Sequence, residues 1–263
     1  MNFGGDSVIE VRGLRTQFGE QVIHDGLDLN VRRGEVLGVV GGSGTGKSVL
    51  LRTIIGLNSP CNGTIKVLGT DVDYASASER QALHTRLGVL FQDGALFSSL
   101  TVCENIQVPM REHLSMPQKL MDELAALKIA MVGLPADAGL KFPSELSGGM
   151  RKRAGLARAL SVDPEIIFLD EPTAGLDPIG AAAFDRLIRE LQTSLGLTVF
   201  MVTHDLDSLV AICDRIAVLV DKKIRVASMD KHLEDPHPWI QEYFQGPRAR
   251  AAQNAWAQSL EAV

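Results

Sequence analysis

The chain has 263 residues, of which 45% are hydrophobic and 22% charged, an ordinary globular composition that excludes a wholly disordered chain. Its net charge of −6 argues against a general nucleic-acid binder and leaves room only for a local basic patch. The absence of a run of about 18 uncharged apolar residues predicts no membrane span, residues 1–11 lack the pattern of a secretory signal, and Cys61, Cys103 and Cys213, without metal-ligand spacing, read as isolated reduced thiols.

In chain order, Leu27, Leu29 and Val31 alternate with polar residues and predict a half-buried strand. Arg33-Gly34 turns it into an apolar strand over 36–40. A glycine-rich loop follows, then a helix ending near Gly56 with Pro60 beyond it. Short strands are predicted over 63–68 and 87–91. Residues 100–160 read as an inserted helical lobe. Strands return over 166–169, 198–202 and 216–220, with a helix over 181–195 between the first two. This alternation predicts an α/β fold with a mostly parallel sheet covered by helices. Residues 236–263 read as an appended tail.

Residues 41–48 spell G-G-S-G-T-G-K-S, which fits G-x-x-x-x-G-K-[ST] between a strand and a helix. Gly41, Gly42, Gly44 and Gly46 let the backbone curl so that N–H groups converge on phosphate oxygens. The helix N-terminus adds partial positive charge. Lys47 is expected at the β- and γ-phosphates and Ser48 on Mg²⁺. A second motif is the apolar run 166–169 ending in Asp170-Glu171. Asp170 is expected to hold Mg²⁺, directly or through water. Glu171 is expected to polarise a water attacking the γ-phosphate.

Leu146-Ser147-Gly148-Gly149-Met150, upstream of Asp170-Glu171, resembles the signature of ABC-type ATPases. That family's other motifs stand in order. Phe18 matches the aromatic that stacks on adenine; a core position in a β-hairpin is its alternative. Gln92 matches the loop glutamine, Ala174-Gly175-Leu176-Asp177 the D-loop, and His204 the switch histidine. The resemblance spans residues 7–230 and implies the P-loop NTPase fold of ABC ATPases: a mostly parallel core sheet, an antiparallel β subdomain and a helical lobe over about 100–160. It implies ATP hydrolysis with ATP and Mg²⁺. The cis contacts run through Ser43, Thr45 and Val49 as well as the loop residues above. Gln92, Glu171 and His204 are the catalytic set, and Gln92 joins Ser48 and Asp170 on the metal. A homodimer closed over two ATP molecules brings Ser147, Gly148, Gly149, Met150 and Asp177 across to the neighbour's nucleotide.

The signature ends in Met150 where the family usually has glutamine. This, with L-S-G-G-M-R-K-R and residues 91–102, resembles the ATPases of Mla/MCE-type lipid transporters, also known as toluene-tolerance systems. That branch implies a separate membrane permease, an MCE-type lipid-binding component, a small regulatory subunit, phospholipid as cargo, and a peripheral place on the cytoplasmic face of the inner membrane. An importer ATPase for another small substrate is the alternative, and a soluble ABC ATPase acting on ribosomes or DNA is a weaker one. Arg151, Lys152 and Arg153 read either as cations facing a phosphate-rich ligand or acidic partner, or as a solvated basic face. In the tail, Trp239, Tyr243 and Phe244 share a helical face, and Ala252, Trp256 and Leu260 repeat at helical spacing. That stripe docks either on a partner subunit or on the chain's own domain.

Overall fold

The computed structural model describes residues 6–246. The chain opens with strands Ser7–Phe18 (β1), Gln21–Arg32 (β2) and Val36–Gly41 (β3), then helix Lys47–Ile54 (α1) and strands Asn62–Val67 (β4) and Thr70–Asp71 (β5). Helix Ala77–His84 (α2) and strand Leu87–Leu90 (β6) lead to helices Val102–His113 (α3), Gln118–Met131 (α4) and Gly148–Ala159 (α5). Strand Ile166–Asp170 (β7), helix Pro178–Leu195 (α6) and strand Thr198–Val202 (β8) follow. Helix Leu206–Ile212 (α7), strands Arg215–Val220 (β9) and Lys223–Ala227 (β10), and helices Met229–Leu233 (α8) and Pro238–Gln245 (α9) complete it. These form two compact units. Among the described residues the first comprises 6–75 and 200–246; the second is Ser76–Val199.

In the first unit β2, β1, β4 and β5 form an antiparallel sheet in that order. The predicted alternation buries Leu27, Leu29 and Val31, which face Leu14, Val11 and Ile9 across the pairing. β3 is buried along its whole length, as a parallel strand covered on both faces must be. It runs parallel to β9, and β10 turns back antiparallel on β9. α1 stops where Gly56 takes a left-handed φ of 78°, matching the predicted end.

Within the stretch 236–263, α9 packs on the chain's own unit, the second of the two readings given for Trp239, Tyr243 and Phe244. Ile240 and Phe244 are fully buried with Val40, Leu209, Ile216 and Val218. Burying two large side chains stabilises the unit by roughly 3–6 kcal/mol, so α9 belongs to the core. The stripe of Ala252, Trp256 and Leu260 lies outside the described residues.

In the second unit β6 and β7 pair in parallel, with Leu87 opposite Ile166 and Leu90 opposite Leu169. The predicted helical stretch holds α3, α4 and α5. Thr101 and Glu104 close a reciprocal cap at the start of α3. α6 begins three residues earlier than predicted because Asp177 caps it, accepting from the Gly180 amide at 2.9 Å, with Pro178 at the first helical position. Among the described residues no helix is long and apolar enough to cross a membrane.

Candidate functional site

The first unit carries Phe18, residues 41–49 and His204; the second carries Gln92, residues 147–150, Asp170, Glu171 and Asp177.

The glycine loop turns because Gly44 and Gly46 take φ of 75° and 104°, where a side chain is strained. Gly46 is also the N-cap of α1, and no acid sits in that helix's first turn. Two close approaches fix the glycines. A Cβ on Gly41 would lie 2.6 Å from the Leu219 carbonyl oxygen, and one on Gly46 would lie 2.3 Å from Ile23 Cγ2. Lys47 Nζ donates to the carbonyls of Gly41 (2.8 Å) and Gly42 (3.0 Å), and Thr45 Oγ1 donates to Gly42 (2.9 Å). The ammonium is thus held over the loop. Ser43 and Gly44 are exposed, and Ser48 and Val49 are half-buried on α1. This strand–loop–helix, with an ammonium over the loop and a helix N-terminus behind it, is chemically suited to a polyphosphate.

Phe18 stands at the hairpin end where β1 meets β2 and is 54% exposed, so it is not a core residue. His204 is exposed after β8. Thr203, just before it, is buried and donates its amide to the Val39 carbonyl at 3.1 Å, placing this turn beside the end of β3. Reading the sequence missed two neighbours of these residues. Tyr243 Oη donates to the His204 carbonyl at 3.1 Å, and Trp239 stacks on Tyr243 at 4.9 Å. A Cβ on Gly42 would come within 3.5 Å of Trp239 Nε1. The aromatic spacing in the tail was visible; the surface it packs on was not.

His24 was also missed. Its ring is fully buried, Nδ1 meets Thr16 Oγ1 at 2.7 Å, and Nε2 has no full hydrogen-bond partner where it faces Gly46. Burial pushes the imidazole down to about 4 from 6.5, slightly opposed by the Gly46 backbone. Between those values the unfolded chain binds a proton that the folded chain refuses, so stability falls as pH drops through that window, by up to about 3 kcal/mol. His232, buried against the Ile216 carbonyl, is shifted the same way by burial. Urea unfolding followed from pH 6.5 to 4 is expected to show a shallower loss of stability in His24→Leu than in the wild type. Parallel curves would contradict this.

In the second unit β7 is buried throughout and delivers Asp170, itself buried, at its end. Glu171 comes next with φ 50°, a left-handed conformation uncommon for a residue with a side chain. Gln92 is exposed after β6. Ser147 caps α5, its Oγ accepting from the Met150 amide at 3.3 Å; Ser147 and Gly148 are exposed, Gly149 and Met150 half-buried. Asp177 is exposed as the cap of α6. A cleft of about 390 Å³ opens between Gln92 and Asp93, the start of α5 at Gly148, and Gly175-Leu176.

The basic run at the start of α5 is not one solvated face. Arg151 is exposed, Arg153 Nη1 donates to the Val132 carbonyl at 2.6 Å, and Lys152 is turned inward and buried. Among the described residues no group of three or more His, Cys, Asp or Glu could hold a metal ion.

The ABC transporter family model matches residues 24–174. The Mycobacterium bovis protein mkl, named as a probable ribonucleotide transport ATP-binding protein, is 41% identical over 241 residues, covering 91% of this chain and 67% of the relative. The intermembrane phospholipid transport system ATP-binding protein MlaF of Escherichia coli K12 is 37% identical over 241 residues, covering 91% of this chain and 89% of the relative. The solved dimer of the ATP-binding cassette MJ0796 in a post-hydrolysis state, bound to ADP and Pi, is 28% identical, with a TM-score of 0.77 over 84% of this chain and 98% of that one. The fold is therefore that of ABC ATPases, with a mostly parallel sheet, an antiparallel β subdomain and a helical region. The chain belongs to the ABC transporter family, as an ATP-binding subunit that hydrolyses ATP.

Proposed function

We propose that this subunit powers the movement of phospholipid through a separate membrane permease, as a homodimer on the cytoplasmic face of the membrane. The observation that carries this reading is the match to MlaF along nearly the whole of both chains, 91% and 89%. The Met150 signature and residues 91–102 support it from the sequence. A second reading, ribonucleotide transport, is favoured by the 41% identity to mkl, of which this chain spans only 67%.

At the nucleotide, the amides of the 41–48 loop and Lys47 hold the phosphates, and Phe18 stacks on adenine, worth about 1–3 kcal/mol by analogy with base–aromatic stacking. Ser48, Asp170 and Gln92 offer a hydroxyl, a carboxylate and an amide oxygen. These are hard donors of the kind Mg²⁺ takes alongside phosphate and water, so the donor set fits the ion. When bound, Mg²⁺ neutralises charge on the phosphates. Glu171 accepts a proton from the attacking water, and His204 is assigned to the γ-phosphate. Ser147, Gly148, Gly149, Met150 and Asp177 approach the neighbour's nucleotide across the dimer. An MCE-type lipid-binding component and a small regulatory subunit are the further partners of this assembly.

The permease contact is assigned to the loop after Gln92. Phe97 is 53% exposed there. The loop does not hang free: buried Asn105 accepts from the Phe97 amide at 2.8 Å and donates to the carbonyls of Phe97, Leu100 and Thr101 at 2.9–3.1 Å. A pinned loop offering an apolar ring suits a permease helix that buries it, at about 25 cal/mol per Å². Phe97→Asp is expected to keep ATP affinity within about twofold and to detach the permease, since docking would then bury an unpaired charge. The test is to purify the complex in detergent with each variant and identify co-purifying molecules by mass spectrometry. Phospholipid with the wild type and loss of the permease with Phe97→Asp are expected. A complex holding ribonucleotide cargo and no lipid would favour the second reading, and full assembly with Phe97→Asp would remove this loop from the interface.

A further inference from the structure

We propose that Lys152 is a positioning residue for hydrolysis, holding the backbones of Gln92 and Glu171 against the helix that begins at the signature. This rests on Gln92 and Glu171 acting at the γ-phosphate as proposed above.

Three consecutive cations on a helix point about 100° apart, so they cannot share one face. Lys152 is the one turned into the protein, only 6% exposed. Burying an ammonium is costly unless it finds partners. Burial pulls its pKa below the usual lysine range, opposed by the carboxylates of Asp93, Glu171 and Asp170. Its hydrogen bonds go to backbone: Nζ donates to the Gln92 carbonyl at 2.8 Å and the Glu171 carbonyl at 2.9 Å. One side chain thus ties together residues 79 positions apart, both assigned to the same phosphate.

Both ends of this tie need holding. Glu171 sits in a left-handed conformation that its own Cβ disfavours, so the surroundings must hold it there. The Gln92 loop contains a second such residue, Ala95, with φ 47°. Further along α5, Arg158 donates to the carbonyls of Gly94 (3.0 Å) and Ala95 (2.6 Å). Between the two cations lies Gly155, where a Cβ would come 3.1 Å from Gly94 Cα and 2.8 Å from Leu90 Cδ1. The loop therefore lies flat on α5, fastened by Lys152 and Arg158 on either side of a glycine contact. Arg158 fastens the loop alone; Lys152 alone also reaches Glu171. Displacements of about 0.5–1 Å in a catalytic group are enough to lower turnover, and Lys152 is placed to prevent them.

The test compares Lys152→Met with Lys128→Met in the full-length protein. Lys128 is a buried lysine of the same unit, but it pairs with Asp163 and has no hydrogen bond to either loop. Lys152→Met is expected to lower kcat at least about tenfold while KM for ATP moves less than about threefold, and to speed amide exchange over 91–96 and 170–174. Lys152→Arg, which keeps the charge and donors, is expected to recover most of the turnover. Lys128→Met is expected to lower Tm comparably and leave kcat and the exchange of both segments near wild type. Should Lys152→Met fail to fold, Lys152→Gln gives the same comparison. A kcat within twofold of wild type in Lys152→Met or Lys152→Gln, or an equal fall in Lys128→Met, would overturn the proposal. Glu171→Gln is run beside them: if it too hydrolyses ATP normally, the assignment of Glu171 fails as well, whereas its inactivity beside an active Lys152→Met removes Lys152 alone.

Discussion

Glu171→Gln is expected to bind ATP as tightly as the wild type and to lose turnover by about 10²–10⁴-fold, the range a positioned general base contributes. The substitution keeps the shape and the hydrogen-bonding reach of the side chain. It removes only the carboxylate proposed to accept the proton of the attacking water. The backbone is expected to hold, because the left-handed conformation at 171 and the Lys152 contact involve main-chain atoms. Binding without turnover also predicts a stable ATP-bound dimer, visible as a doubling of mass in light scattering when ATP is added. Wild-type hydrolysis by this variant would remove Glu171 from the proposed role.

Lys47→Ala is expected to weaken ATP binding by at least about 100-fold. In the proposed role the ammonium would give the phosphates charge-assisted hydrogen bonds worth about 1.5–3 kcal/mol each, and about 2.7 kcal/mol is already a hundredfold in affinity. Its present bonds to the Gly41 and Gly42 carbonyls show that it reaches across the loop. The effect is expected in the dissociation constant, measured by titration with a fluorescent ATP analogue, and not only in kcat. Unchanged affinity would contradict the assignment.

The residues proposed to carry chemistry stand in motifs that are legible in the sequence because their signals are local. Residues 41–48 and 166–171 each combine a residue pattern with a predicted strand beside it, and both appear as a strand leading into the expected turn. Other features depend on what lies across space. β1 was missed because its pairing with β2 slips between Val11 and Leu14 and again between Leu14 and Thr16, which breaks the period-two pattern. α2 carries a readable local signal, the reciprocal cap of Ser76 and Glu79. The stretch 236–263 reads as a tail because helical spacing tells which residues share a face and not what covers it. Lys152 is the sharpest case. Sequence places it between two arginines of the same charge, and only packing separates the buried cation from its neighbours.

The proposed coupling of ATP hydrolysis to phospholipid movement is tested most directly by transfer of fluorescent phospholipid by the complete complex in proteoliposomes, with ATP, with Glu171→Gln, and with ribonucleotide added as competing cargo. Lipid transfer that requires ATP, stops with Glu171→Gln and ignores ribonucleotide is the predicted result. ATP-driven ribonucleotide uptake with no lipid transfer would contradict it.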